Sequence, residues 1–179
     1  MKKALWPILE VLETIAIAII AVFIIRTFVA QPFLVSGSSM EPTFHSGDYL
    51  LVDQFTYNFR KPKRGEVVVF KNPKGDSFFI KRIIGMPGER IVLNDGKVKV
   101  FENGSKKVLE EKYARKFLSE GHSEYTLDKN EYFVMGDNRG FSFDSRSWGP
   151  LKRKNIIGLV RLRLWPPSDV VAFGAPSYK

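Results

Sequence analysis

The runs EVVVFK (66–71), NPKGDS (72–77) and FFIKRII (78–84) decide the fold. Two stretches rich in β-branched and aromatic residues flank a segment whose Pro73–Asp76 portion carries turn chemistry. They read as two strands, Glu66–Lys71 and Phe78–Ile84, joined by a turn. The second strand is apolar apart from two consecutive cations. With a side-chain period of two, Lys81 shares a face with Phe79 and Ile83, while Arg82 lies opposite with Phe78, Ile80 and Ile84.

Working outward, the same alternation of short β-rich runs and Gly, Pro or Asn turns continues in both directions. Further strands are expected at Phe33–Val35, Tyr49–Phe55, Arg90–Leu93, Lys97–Phe101, Glu131–Met135 and Ile156–Leu164. Turn signals stand at Arg64-Gly65, Gly85–Gly88, Asn94–Gly96 and Gly136–Asn138. The pattern argues for a mainly β, antiparallel domain. Asn94 to Asn130 is denser in Lys and Glu and reads as a polar hairpin or cap inserted in that domain, with Lys106 to Ser119 expected to be partly helical.

The N-terminus differs in kind. Ile15 to Ile25 is uninterrupted apolar sequence, and Ile8 to Val29 as a helix would span roughly 33 Å, the thickness of a bilayer core. A buried core helix is the alternative. A cleavable leader fits less well. The best bond near the far face follows Ala30, but Phe28 then occupies the −3 position, where a small residue is needed. The segment is therefore read as a retained anchor, with Lys2 and Lys3 holding the N-terminus in the cytoplasm. This gives an anchor over residues 1–30 and an extracytoplasmic domain over 31–179, with 94–130 as the inserted cap.

Composition narrows the chemistry. The absence of cysteine among 179 residues excludes disulfides and a thiol nucleophile. Only His45 and His122 are present, which argues against a His-rich metal site. The net charge of +9 belongs almost wholly to the part after residue 30. No basic cluster interleaved with aromatics reads as a nucleic-acid groove, so a surface facing anionic lipid is the better match.

Three segments carry candidate chemistry. SGSSMEPT (36–43) places Ser39 in a Gly- and Pro-flanked turn after a strand, where a hydroxyl and backbone N–H groups can both face a substrate. In the Lys81 strand, burial among apolar groups would lower the amine pKa and free it to act as a general base. Without burial, Lys81 is a strand-end lysine reaching solvent. GDNRGFSFDSR (136–146) packs Asp and Arg residues closely enough for a hydrogen-bonded loop or for ordinary surface ion pairs.

Together these segments resemble the motif set of bacterial type I signal peptidases. That set comprises the Ser-Met-x-Pro-Thr box, the Arg-Gly-Glu-Val-Val-Val-Phe strand at Arg64–Phe70, the Lys-Arg-Ile-Ile-Gly-x-Pro-Gly-Glu box and the Gly-Asp-Asn-Arg…Ser-x-Asp-Ser-Arg box. The order matches behind one apolar span, and the short cap looks like the Gram-positive form.

The resemblance implies two antiparallel sheets with a small β-extension, and peptide hydrolysis without metal or cofactor. Its substrates would be the signal peptides of exported preproteins. Ser39 would be nucleophile and Lys81 general base. Ser142 would orient the lysine amine, and Asp144 would pair with Arg146 and also with Arg82. Asp137, Asn138 and Arg139 look structural. Phe33, Val35, Met40, Phe44, Phe79 and Ile80 would wall a channel admitting small side chains at −1 and −3. Gly37 stands where some members of the family carry a second oxyanion donor; that donor stays open among a backbone group, water, Ser36 and Ser38.

Two other readings compete. A self-cleaving repressor of the LexA type also uses Ser and Lys but needs a helix-turn-helix at the N-terminus. A non-enzymatic basic membrane-surface protein would leave the three segments unexplained.

Overall fold

The structure is a computed structural model that describes residues 2–24, 30–102, 104–115, 121–176 and 178. Helix α1 spans Lys2–Ile24. Its Trp6–Phe23 stretch has a mean hydropathy of 2.0 and none of it is buried against the rest of the chain. That exposure removes the core-helix alternative, because a core helix buries its apolar face. Residues 2–24 form one helix, not the helix-turn-helix that the repressor reading requires.

The rest is mainly β. The strands are β1 (Ala30–Leu34), β2 (Tyr49–Asp53), β3 (Val67–Lys71), β4 (Phe78–Gly85), β5 (Arg90–Asn94), β6 (Lys97–Glu102), β7 (Ser105–Val108), β8 (His122–Thr126), β9 (Glu131–Met135), β10 (Leu151–Lys152), β11 (Ile156–Trp165) and β12 (Val171–Ala172). Two one-turn helices, α2 (Thr56–Phe59) and α3 (Ser145–Trp148), follow β2 and β9. The large sheet runs β1-β2-β11-β3-β4-β9-β10, with β12 added to β11. A four-stranded sheet, β7-β6-β5-β8, is inserted between β4 and β9. Strand pairing is antiparallel throughout both sheets.

The β3–β4 hairpin forms as the sequence suggests, with Val68 opposite Lys81 and Val67 opposite Arg82. Its alternation sorts the core. Val68, Phe70 and Ile83 pack on one face with Tyr132, Val134 and Leu151. Val67 and Val69 pack on the other with Val35, Met40, Phe44 and Leu50. Ile84 joins Phe133, Met135 and the inner residues of the inserted sheet. From Lys81 to Gly85, β4 is buried on both faces, so an apolar run with only two charges is what that position demands.

Several expected boundaries move. The inserted sheet includes β5 and so opens at Arg90, not at Asn94. The expected helix near Lys106 is instead strand β7, since Ser105–Val108 pairs along β6. Residues 109–115 are non-helical, and 116–120 lie outside the described residues.

Candidate active site

The turn after β1 carries Ser39. Gly37 opens that turn at φ +94°, a left-handed conformation that a side chain at this position would strain. Met40 and Phe44 then bury themselves at 1% and 0% exposure and pin the turn to the core. From β4, the Lys81 amine reaches the Ser39 hydroxyl at 2.8 Å and also donates to the Ile80 carbonyl at 2.9 Å. Among the described residues the Ser39 N–H has no hydrogen-bond partner, which leaves it available as a donor.

Lys81 is buried, and its pKa falls from 10.5 to about 8. Burial is the dominant cause, since it penalises the ammonium; the fields of Asp144 and Asp137 oppose the fall. Those two carboxylates are held elsewhere. Asp137 takes two hydrogen bonds from Arg82 at 2.9 and 2.6 Å. Asp144 receives Arg146 at 2.8 and 2.9 Å and the Gly136 N–H at 2.9 Å. The amine is therefore left with neutral partners and can take up a proton from the hydroxyl it touches.

Three expectations need correction. Arg82 pairs with Asp137 and not with Asp144, because Arg82 and Lys81 emerge on opposite faces of β4 and Asp137 lies on the Arg82 face. The Ser142 hydroxyl does not bond the Lys81 amine. It is buried without a partner among the described residues, facing the backbone of Gly136 while the amine is directed at Ser39 and Ile80. Met40 and Phe44 do not wall the cleft, since the core has absorbed both.

The cleft beside Ser39 and Lys81 has a volume of about 340 Å³ and takes Phe33, Val35, Phe79 and Ile80 as walls. Leu34, Phe78, Phe141 and Phe143 also line it and were missed. Phe141 and Phe143 flank Ser142, whose inward hydroxyl leaves both rings exposed. Strict alternation about Ser142 was the available signal.

The third segment was also underestimated as a support for the turn. Asn138 donates its N–H to the Ser39 carbonyl at 3.0 Å and its side-chain amide to the Ser38 carbonyl at 3.1 Å. Gly136 sits so close beneath that a Cβ there would lie 2.4 Å from the Ser39 carbonyl oxygen and 2.3 Å from the Ser142 hydroxyl. No larger residue fits without moving the candidate nucleophile.

The chain matches the family model "Signal peptidase, peptidase S26" over residues 8–165. It is 36% identical to signal peptidase I of Leptolyngbya laminosa, covering 97% of this chain and 88% of that one. It is 34% identical to signal peptidase I P of Bacillus subtilis subsp. natto, over 92% and 93% of the two chains. A thylakoidal processing peptidase of Arabidopsis thaliana is 35% identical over 86% of this chain and 47% of its own. Among solved structures, a signal peptidase I from Enterococcus faecalis aligns with a TM-score of 0.48 at 28% identity, covering 56% of this chain and 97% of that one.

Proposed function

The chain belongs to the signal peptidase S26 family, and from that membership we propose that it is a membrane-anchored serine endopeptidase that removes signal peptides from exported preproteins. The observation that carries the mechanism is the 2.8 Å bond between the Ser39 hydroxyl and an amine whose pKa burial has lowered to about 8.

In this reading, Ser39 Oγ attacks the carbonyl carbon of the scissile bond as its proton passes to Lys81 Nζ. The Ser39 N–H donates to the developing oxyanion. The ammonium returns the proton to the leaving amine nitrogen, the C–N bond breaks and the signal peptide remains as an ester on Ser39. Water then gives a proton to the regenerated amine and attacks the ester, and the serine hydroxyl is restored. The bulky walls Phe33, Phe79 and Ile80 leave room for small side chains, so cutting follows a small-x-small motif. In an extended substrate the −1 and −3 side chains point to the same wall. Helix α1 crosses the membrane with its N-terminus in the cytoplasm, and the basic β-domain faces preproteins and anionic lipid outside.

The test is cleavage of a preprotein by the purified chain in detergent or vesicles. Ser39→Ala should be folded and inactive. Near-normal turnover by that variant would sink the assignment.

A further inference from the structure

Residues 109–115 follow β7 within the inserted sheet, and four contacts made there converge on the support of Ser39. Glu111 grips both terminal nitrogens of Arg139 at 2.6 Å each. Both side chains are more than nine-tenths buried. The Arg139 Nε–H donates to the Gly136 carbonyl at 3.0 Å. Arg115 N–H donates to the Asp137 carbonyl at 2.9 Å, and its guanidinium meets Glu41, two residues past the nucleophile, at 3.2 Å. Tyr113 lies 4.1 Å from the Arg82 guanidinium and donates its hydroxyl to Glu111 at 2.9 Å.

We propose that Glu111 is a positioning residue for the dyad, acting through Arg139 on the Gly136 carbonyl; the proposal rests on the reading of Ser39 and Lys81 given above. A guanidinium gripped on its two terminal nitrogens has a fixed plane, so its Nε points in one direction. Here that direction is the Gly136 carbonyl. Gly136 transmits the restraint because there is no slack above it: its missing Cβ would lie 2.4 Å from the Ser39 carbonyl oxygen. The next backbone groups continue the chain of contacts, since Gly136 N–H binds Asp144 and Asn138 N–H binds Ser39. Displacement of Arg139 therefore reaches the Ser39 turn through packed backbone. The inserted sheet is in this sense part of the catalytic apparatus and not a cover over it.

The experiment compares preprotein cleavage, KM and thermal midpoint for the full chain and four variants. Glu111→Gln should lower kcat roughly tenfold while KM stays within about twofold, the scale expected when a reacting group is misplaced by a fraction of an ångström. Glu111→Asp keeps the charge but withdraws it by one methylene, and the same loss of kcat is expected of it even if Glu111→Gln does not fold. Glu111→Gln/Arg139→Gln removes both charges together, so it should regain thermal stability without regaining kcat. A purely structural role predicts the opposite, with kcat returning alongside the midpoint, and that result would overturn the proposal. Wild-type kcat in folded Glu111→Asp would overturn it as well. Ser39→Ala is the fourth variant: cleavage by it would remove the dyad, whereas an inactive Ser39→Ala beside a fully active Glu111→Asp would remove only the role of Glu111.

Discussion

Lys81 and Arg82 are consecutive residues of β4, both 4% exposed, and they reach opposite electrostatic ends. Arg82 turns to the face of Asp137 and adds the Gly65 carbonyl at 2.8 Å. Burial is the largest single influence and works against its charge, but the Asp137 hydrogen bonds and the Asp137 charge together outweigh it and its pKa rises. Lys81 turns to the other face and finds a hydroxyl and a carbonyl. There burial prevails, and the pKa falls to about 8. Burial alone does not make a base. Burial without a carboxylate in contact does, and only for an amine, because a guanidinium keeps its proton in either setting.

Making the two neighbours alike breaks the contrast most severely. Lys81→Arg fills the same position with a cation that cannot accept the serine proton. Preprotein cleavage should fall by about 10⁴-fold or more, as when a nucleophile or its base is removed elsewhere. Circular dichroism would confirm that the variant is folded.

The next largest effect lies on the other face. Asp137→Asn leaves the Arg82 guanidinium buried without its counter-charge, and urea unfolding should show a loss of about 3–5 kcal/mol. Arg82→Met/Asp137→Leu should recover most of that loss, since the cost comes from the orphaned charge. A double variant no more stable than the single would mean that the pair itself holds the fold.

Lys81 gives a smaller effect of opposite sign. Its folded pKa of about 8 lies below the ordinary 10.5, so the native state is penalised wherever both states hold the proton, below about pH 8. The penalty fades as pH rises from about 8 to 10.5. Lys81→Met should therefore stabilise the protein by up to about 3 kcal/mol at pH 6 and by almost nothing at pH 11. Equal stabilisation at both values would mean that the lysine is not a buried charge in the folded state. Smallest of all is the exposed pair Arg90–Glu124 of the inserted sheet, 3.0 Å apart. Arg90→Ala should cost less than about 1 kcal/mol in the same unfolding experiment.

The same contrast explains what could be read from the sequence. β3 and β4 were legible because the stretches buried on both faces, Val67–Phe70 and Lys81–Gly85, have no choice but apolar residues, and two cations in such a run stand out. The Ser39 turn by itself is an ordinary Ser-rich turn; the segment motifs singled it out together with Lys81, and the two side chains are in contact. The partner of Arg82 was not legible, because Asp137 and Asp144 are seven residues apart in one segment of mixed charge, and only the fold decides which of them faces Arg82. Strands β7 and β8 were missed for a different reason. Ser105–Val108 and His122–Thr126 are largely exposed, so burial writes little apolar alternation into them. Glu111 was invisible as one of many acidic residues in a polar stretch. Met40 and Phe44 were misplaced because adjacency in sequence to a nucleophile does not say which side of the turn a side chain takes; the core took both.

The pH dependence of kcat/KM for preprotein cleavage tests the central claim most directly, because it reports the ionisation of groups in the free enzyme. If the neutral Lys81 amine is the base, kcat/KM rises tenfold per pH unit on the acid side and levels off with a midpoint near 8. A profile that stays flat between about pH 6 and 10 would contradict the account.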